Sequence, residues 1–211
     1  MSGGLLLMLA AYAAVFAGAE WLLRRGWRPL LTRKSAHAAG GLVSCALPVF
    51  VTKAAAVGIG AGFSLFILAA SRAGRLRSVH AAGGGAGAAL FPAGLALSVL
   101  LFWRADAAVF QWSALLMGLA DAAAGAGGGL WGKRTYDLTG PKTLEGSALF
   151  FAVALALFAA FAFTRGGFGP AGLAAAAGCA LALTAVESAL GGGWDNVGVP
   201  LAAGALLTIL K

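Results

Sequence analysis

Three acidic positions stand where carboxylates are costly or oddly placed. Asp121 lies inside an apolar run, where an aspartate near a helix centre costs roughly 2.5–3.5 kcal/mol and must face the bundle with a partner. Glu187-Ser188 closes a second apolar run, and Asp195-Asn196 opens the last one after the turn Gly191-Gly192-Gly193. Helix capping accounts for an aspartate at position 195 but not for Glu187 eight residues earlier. Two carboxylates flanking a turn, with Asp121 from another helix, form a hard-oxygen set for Mg²⁺: Asp121, Asp195 and Glu187.

A glycine-rich and basic stretch follows Asp121, running through Gly125, Gly128, Gly132, Lys133 and Arg134 to Pro141-Lys142-Thr143-Leu144-Glu145-Gly146-Ser147. Glycines expose backbone N–H groups and the cations add charge, a combination suited to a polyphosphate. Gly127 to Lys133 matches the opening of a P-loop, but Arg134 stands where Ser or Thr is needed and no strand precedes it. A P-loop is therefore rejected. Upstream, Arg33-Lys34-Ser35-Ala36-His37 sets Arg33 and His37 on one helical face, as a membrane anchor or as part of a pocket. Glu20 and Arg24 share the same spacing and form a local pair. Arg72, Arg75, Arg77 and His80 read as a topology signal first and phosphate contacts second.

The elements that carry these residues must be membrane helices. The 211 residues are 61% apolar and only 10% charged, with mean hydropathy +0.90, against about 25% charge in a soluble domain. Net charge is +8, but no basic soluble module exists to make nucleic acid a partner. The partner that composition demands is the lipid bilayer. Cys45 and Cys179 sit in apolar runs and read as packing residues, neither disulfide nor zinc ligands. The first run, Leu5 to Leu23, is long enough to be a retained span rather than a removed signal peptide.

Apolar runs predict an all-α transmembrane bundle of about eight spans, roughly 4–23, 38–52, 54–71, 81–103, 107–128, 147–163, 171–190 and 197–210, the second and last being short. Abundant Gly and Ala suit close helix packing in lipid. With both termini outside, inner loops hold Arg24, Arg25, Arg28, Arg33, Lys34, Arg72, Arg75, Arg77, Lys133, Arg134 and Lys142, eleven of the 15 basic residues. Lys53, Arg104, Arg165 and Lys211 remain outside, so the positive-inside rule favours that orientation. Six of the seven acids and both histidines also fall at inner ends, with only Asp106 outside beside Arg104. Topology gives acids and histidines no reason to gather there, which points to a polar site at the cytoplasmic face. A transporter would instead carry charge near mid-bilayer.

The spacing Asp121-x-x-Ala124-x-x-x-Gly128-x-x-x-Gly132 with Pro141-Lys142-Thr143-Leu144-Glu145-Gly146 resembles the nucleotide loop of dolichol kinases, grouped with phytol kinases and CTP-dependent diacylglycerol kinases. Arg33-Lys34-x-x-His37 and Glu187-Ser188…Asp195-Asn196-Val197-x-Val199-Pro200-Leu201 resemble the same family, so the likeness spans residues 33 to 201. Pro141 departs from the family pattern, which has lysine there. The resemblance implies one integral-membrane domain over residues 1–211, with a nucleotide loop at about 121–147. It implies transfer of the γ-phosphoryl group of CTP to a lipid alcohol such as phytol, geranylgeraniol or dolichol, with Mg²⁺, giving the lipid monophosphate and CDP. Asp121 and Asp195 would hold metal or act as base, with Lys142 and Glu187 also catalytic. Lys133, Arg134 and Lys142 would hold phosphates, cradled by the Gly125–Gly132 backbone with Thr143 and Gly146 of the same motif. Glu145, Glu187 and Asn196 would orient lysine or metal, and Arg33, Lys34 and His37 would complete the pocket. A rival is a cytidylyltransferase making CDP-lipid, which has a similar loop but also a C-terminal stretch rich in Lys, Asp, His and Arg that is missing after Glu187.

Overall fold

The computed structural model describes residues 2–74, 87–104, 106–167 and 169–211; Arg75, Arg77 and His80 lie outside the described residues. The chain is almost wholly helical: α1 Ser2–Arg24, α2 Pro29–Cys45, α3 Leu47–Phe50, α4 Lys53–Arg72, α5 Gly87–Phe102 and α6 Ala107–Leu115. A π-helical turn, Leu116–Ala120, joins α6 to α7 Asp121–Trp131. A short antiparallel hairpin, β1 Thr135–Asp137 with β2 Pro141–Thr143, precedes α8 Leu144–Thr164, α9 Pro170–Ala189 and α10 Asp195–Ile209.

Among the described residues five helical segments are long and apolar enough to cross a membrane: Gly3–Arg24, Lys53–Arg72, Ala107–Trp131, Leu144–Thr164 and Pro170–Ala189. The runs expected at 81–103 and 197–210 correspond to the shorter apolar helices α5 and α10. The run expected at 38–52 is not one helix. Pro48 lacks an N–H and its ring crowds the carbonyl four residues back, so α2 stops at Cys45 and α3 follows as a separate turn. In compensation α2 begins at Pro29, a residue preset for the first helical position, and takes Arg33, Lys34 and His37 into the helix. The stretch 121–147 comprises the helix α7, the hairpin and the start of α8.

The outer surface is apolar, as lipid requires: Leu65 is 68% exposed, Leu181 65% and Ile209 80%. Phe110, Phe150, Phe158, Phe161, Met117 and Leu183 fill the interior. Small residues let backbones meet where that interior narrows. Pro200 leaves the Asn196 carbonyl without its helical donor, and α5 closes on it at Gly94, where a Cβ would fall 2.1 Å from that oxygen.

One end of the bundle carries the turn between α1 and α2, the hairpin and the α9–α10 turn. The opposite end carries both termini: Gly4 packs on the Phe50 carbonyl, and Lys211 Nζ reaches Asp106 Oδ2 at 3.1 Å beside Arg165 at 2.5 Å. Asp106 also caps α6, accepting from the Ala108 N–H at 2.9 Å. Partial burial works to raise the Asp106 carboxyl, but Lys211, the Ala108 N–H and Arg165 together hold it below its ordinary value. A depressed folded value stabilises above the unfolded carboxyl value of about 3.9 and is lost as pH falls through the folded one. Asp106→Asn is therefore expected to lower the thermal midpoint near neutral pH, with the gap to the unsubstituted protein closing at acid pH. Melting curves across that range check it.

Candidate functional site

The site begins where two helices touch without side chains between them. A Cβ on Gly41 would lie 2.8 Å from both the Ala114 carbonyl and the Gly118 Cα, and one on Gly118 would meet Gly41 at 2.9 Å. This contact locks α2 against the π-helical turn, a widened turn of the kind common at functional sites. Asp121 follows that turn directly and is 3% exposed. Lys34 Nζ donates to Asp121 Oδ1 at 2.7 Å and to Oδ2 at 2.8 Å, while His37 Nδ1 lies 3.0 Å from Oδ2. The partner that burial demands for Asp121 is thus a lysine and a histidine three positions apart on α2. The i, i+4 spacing sets Arg33 and His37 on one face, but the face that meets the carboxylate carries Lys34 and His37. The His37 ring stacks on Phe91 with centroids 4.5 Å apart.

The glycines of α7 serve this packing. Their N–H groups lie within a helix, so the segment is no open phosphate cradle of backbone donors. Lys34 crosses Gly125, where a Cβ would sit 2.0 Å from its Cε, and Thr143 and Gly146 of the α8 start press on Gly128 and Gly132. Thr143 caps α8 through the Gly146 N–H at 3.1 Å. Tyr136, which sequence reasoning missed, fastens the hairpin: its hydroxyl lies 2.6 Å from Ser147 Oγ and donates to Ser188 Oγ at 2.9 Å. Its signal was an aromatic in a polar turn, with serines at the mouths of two apolar runs.

With the hairpin held down, Lys142 Nζ donates to Glu187 Oε1 at 2.5 Å and also to the Glu187 carbonyl. An open cavity of about 310 Å³ lies between these pairs, lined by Arg33, Lys34, Asp121, Gly125, Gly128, Lys142, Thr143, Gly146, Glu187 and Asp195 among others. Most of the residues singled out in the sequence converge here. Lys133 and Arg134 do not; they stand exposed on the approach to β1. Glu145 is also off the cavity wall, accepting the Arg134 N–H at 3.3 Å, and Gly132 is used against Thr143. Asn196 is buried but turns to α5, where its Nδ2 donates to the Gly87 carbonyl at 3.0 Å.

Metal binding requires oxygens that are free. Among the described residues no cluster of three or more His, Cys, Asp or Glu side chains forms. Both Asp121 oxygens are committed to Lys34 and His37. Glu187 Oε2, however, is buried without a partner, and Asp195 lines the same cavity. Mg²⁺ is commonly held by one or two carboxylates together with substrate phosphates, and the bare Glu187 oxygen fits that demand. Arg33 Nε is likewise buried and unpartnered, and Arg33 lines the same cavity.

Compared with protein-family models, curated proteins and solved structures, the chain has no match in any of the three.

Proposed function

We propose that this protein is a CTP-dependent kinase of a lipid alcohol, acting at the cytoplasmic face of the membrane with Mg²⁺. The observation that carries the reading is the polar cavity at one end of an apolar bundle, with Arg33, Lys34 and Lys142 facing Glu187 and Asp195. Phosphoryl transfer makes its largest demand on positioning and charge, with cations on the phosphates and a carboxylate for the alcohol proton. Lys142, Lys34 and Arg33 Nε would bind phosphate oxygens. Glu187 Oε2 would hold Mg²⁺, whose role is to neutralise charge developing between the β- and γ-phosphates. Asp195 makes no ion pair among the described residues and is the carboxylate left to take the alcohol proton. Asp121 orients Lys34 and His37 rather than meeting the reactants. Cytoplasmic sidedness rests on the excess of Lys and Arg at this end.

The test is product analysis. Purified protein in lipid, given labelled CTP and a panel of phytol, geranylgeraniol, dolichol and diacylglycerol, is expected to release CDP and a lipid monophosphate. Pyrophosphate with a CDP-lipid would assign it to cytidylyl transfer, and the absence of any nucleotide-dependent lipid product would overturn the proposal. Glu187→Gln is expected to raise the Mg²⁺ concentration for half-maximal turnover by about tenfold or more, the size of effect seen when a ligand set is weakened. A Mg²⁺ titration of both proteins reads that shift.

A further inference from the structure

Exposed tryptophan is confined to one end of this bundle. Trp103 and Trp112 pack on Phe110 and Phe161, with ring centroids 5.5 and 5.9 Å apart. The other four, Trp21, Trp27, Trp131 and Trp194, are exposed and all lie at the cavity end, on the α1–α2 turn, the end of α7 and the α9–α10 turn. An aromatic belt that only anchored the helices would occupy both membrane interfaces. This end therefore has a further reason to present indoles.

The same surface is cationic. Arg25 lies over the Trp21 ring, 4.8 Å from its centroid. Arg28 Nη1 donates to the Gly129 carbonyl at 3.4 Å, which ties the α1–α2 turn to the end of α7, where Lys133 and Arg134 stand exposed. None of these four cations forms an ion pair among the described residues. The acids that follow α7 bind backbone: Glu145 accepts the Arg134 N–H and Asp137 the Gly140 N–H.

Below the arginines runs an open groove of about 370 Å³ between α1 and α2, lined by Ala11, Ala14, Gly18, Leu22, Ser35 and Ala39 among others. Its length on α1, from Ala11 to Leu22, is roughly 16 Å of helix rise, about one leaflet of a ~30 Å hydrocarbon core. Arg25 stands one turn beyond Leu22 on the same helical face, so the groove ends at a guanidinium.

We propose that this surface binds one anionic phospholipid of the leaflet at the cavity end. Its phosphate lies between Arg25 and Arg28 and one acyl chain lies in the α1–α2 groove, with Lys133 and Arg134 widening the positive rim. Charge complementarity selects this occupant. A zwitterionic headgroup carries its own cation, which the four unpaired cations repel. A second copy of the chain, in the same orientation, would set its own cations against these. An anionic headgroup satisfies the charge and accepts from the indole N–H groups as well.

Native mass spectrometry of the purified protein, held in detergent with equal amounts of phosphatidylglycerol and phosphatidylcholine of identical chains, tests this. One phosphatidylglycerol is expected to stay bound through delipidation, in clear excess over phosphatidylcholine. Arg25→Gln and Arg28→Gln should each lower that ratio about fivefold, the worth of one cation at an anionic surface. Arg72→Gln removes the same charge from the end of α4 and should leave the ratio unchanged; an equal fall would mean diffuse surface charge and overturn the site. Gly18→Leu reads the chain. A Cβ at Gly18 meets nothing within 4 Å among the described residues, so leucine fills the groove without disturbing the fold. It should cut retention about tenfold, as loss of a few buried methylenes implies; unchanged retention would overturn the groove as the chain site. Equal retention of the two lipids sinks the proposal, as does a dimer that Gly18→Leu splits, which would give the groove to a second copy.

Discussion

On the kinase reading, Asp121→Asn is expected to reach the membrane in normal amount and to lose turnover by about 10–100-fold, a loss typical of residues that orient reacting groups. The amide keeps the size of the side chain and one acceptor oxygen, but it no longer neutralises Lys34 or fixes His37, which contact the carboxylate at 2.7 and 3.0 Å. Asp121→Ala should be harsher in a different property. It strands a buried ammonium, and breaking one side of a buried pair costs about 3–5 kcal/mol. Turnover and thermal unfolding measured side by side separate the two substitutions: the first loses activity, the second activity and stability together. An Asn variant with full activity would remove Asp121 from the site.

On the kinase reading, Gly125→Ala should silence the protein by displacing Lys34. Alanine favours a helix interior over glycine by about 1 kcal/mol, so α7 itself gains. The new Cβ, however, would fall 2.0 Å from Lys34 Cε and 2.9 Å from its Nζ. A lysine end can swing away, which frees the clash by breaking the ion pair with Asp121. Gly41→Ala has no such escape, because it meets backbone of the neighbouring helix at 2.8 Å and forces the helices apart at about 1–3 kcal/mol. Melting temperature should fall for both variants, because the broken buried pair costs more than the helix gains, with lipid-alcohol kinase activity lost in both on the proposed reading. An active Gly125→Ala protein would mean that Lys34 has no need of its present path.

Much of this site was legible because charge is scarce in the chain. Asp121 inside an apolar run demands a partner, and Glu187 resists explanation as a cap, so both stand out in the sequence alone. Their partners were harder to find. Lys34 and Arg33 are neighbours with the same charge, and only the rotation of α2 about its axis, set by the Gly41–Gly118 contact, decides which meets the carboxylate. Similarly, a run of glycines and cations reads alike as a loop and as a helix face, since glycine has weak preferences of its own. Tertiary contact with Lys34 and Thr143 gave α7 the reason to be helical. Most helix boundaries followed from apolar length, whereas the break at Ala46 depended on one proline two positions later.

The cavity wall holds three cations, Arg33, Lys34 and Lys142, and three carboxylates, Asp121, Glu187 and Asp195. Without ligand it is close to electroneutral, and the Lys142–Glu187 and Lys34–Asp121 pairs already screen one another. Under the proposed reading, Mg²⁺ and nucleotide arrive as opposite charges and can be taken up by exchange of partners: Lys142 moves to a phosphate as Glu187 moves to the metal. Each member of that pair then acts as a placeholder for the ligand of the other. A buried charge is costly only while it is alone, and exchange keeps every charge accompanied throughout. The two ligands thereby become mutually dependent, since either one arriving by itself would leave half of a pair behind.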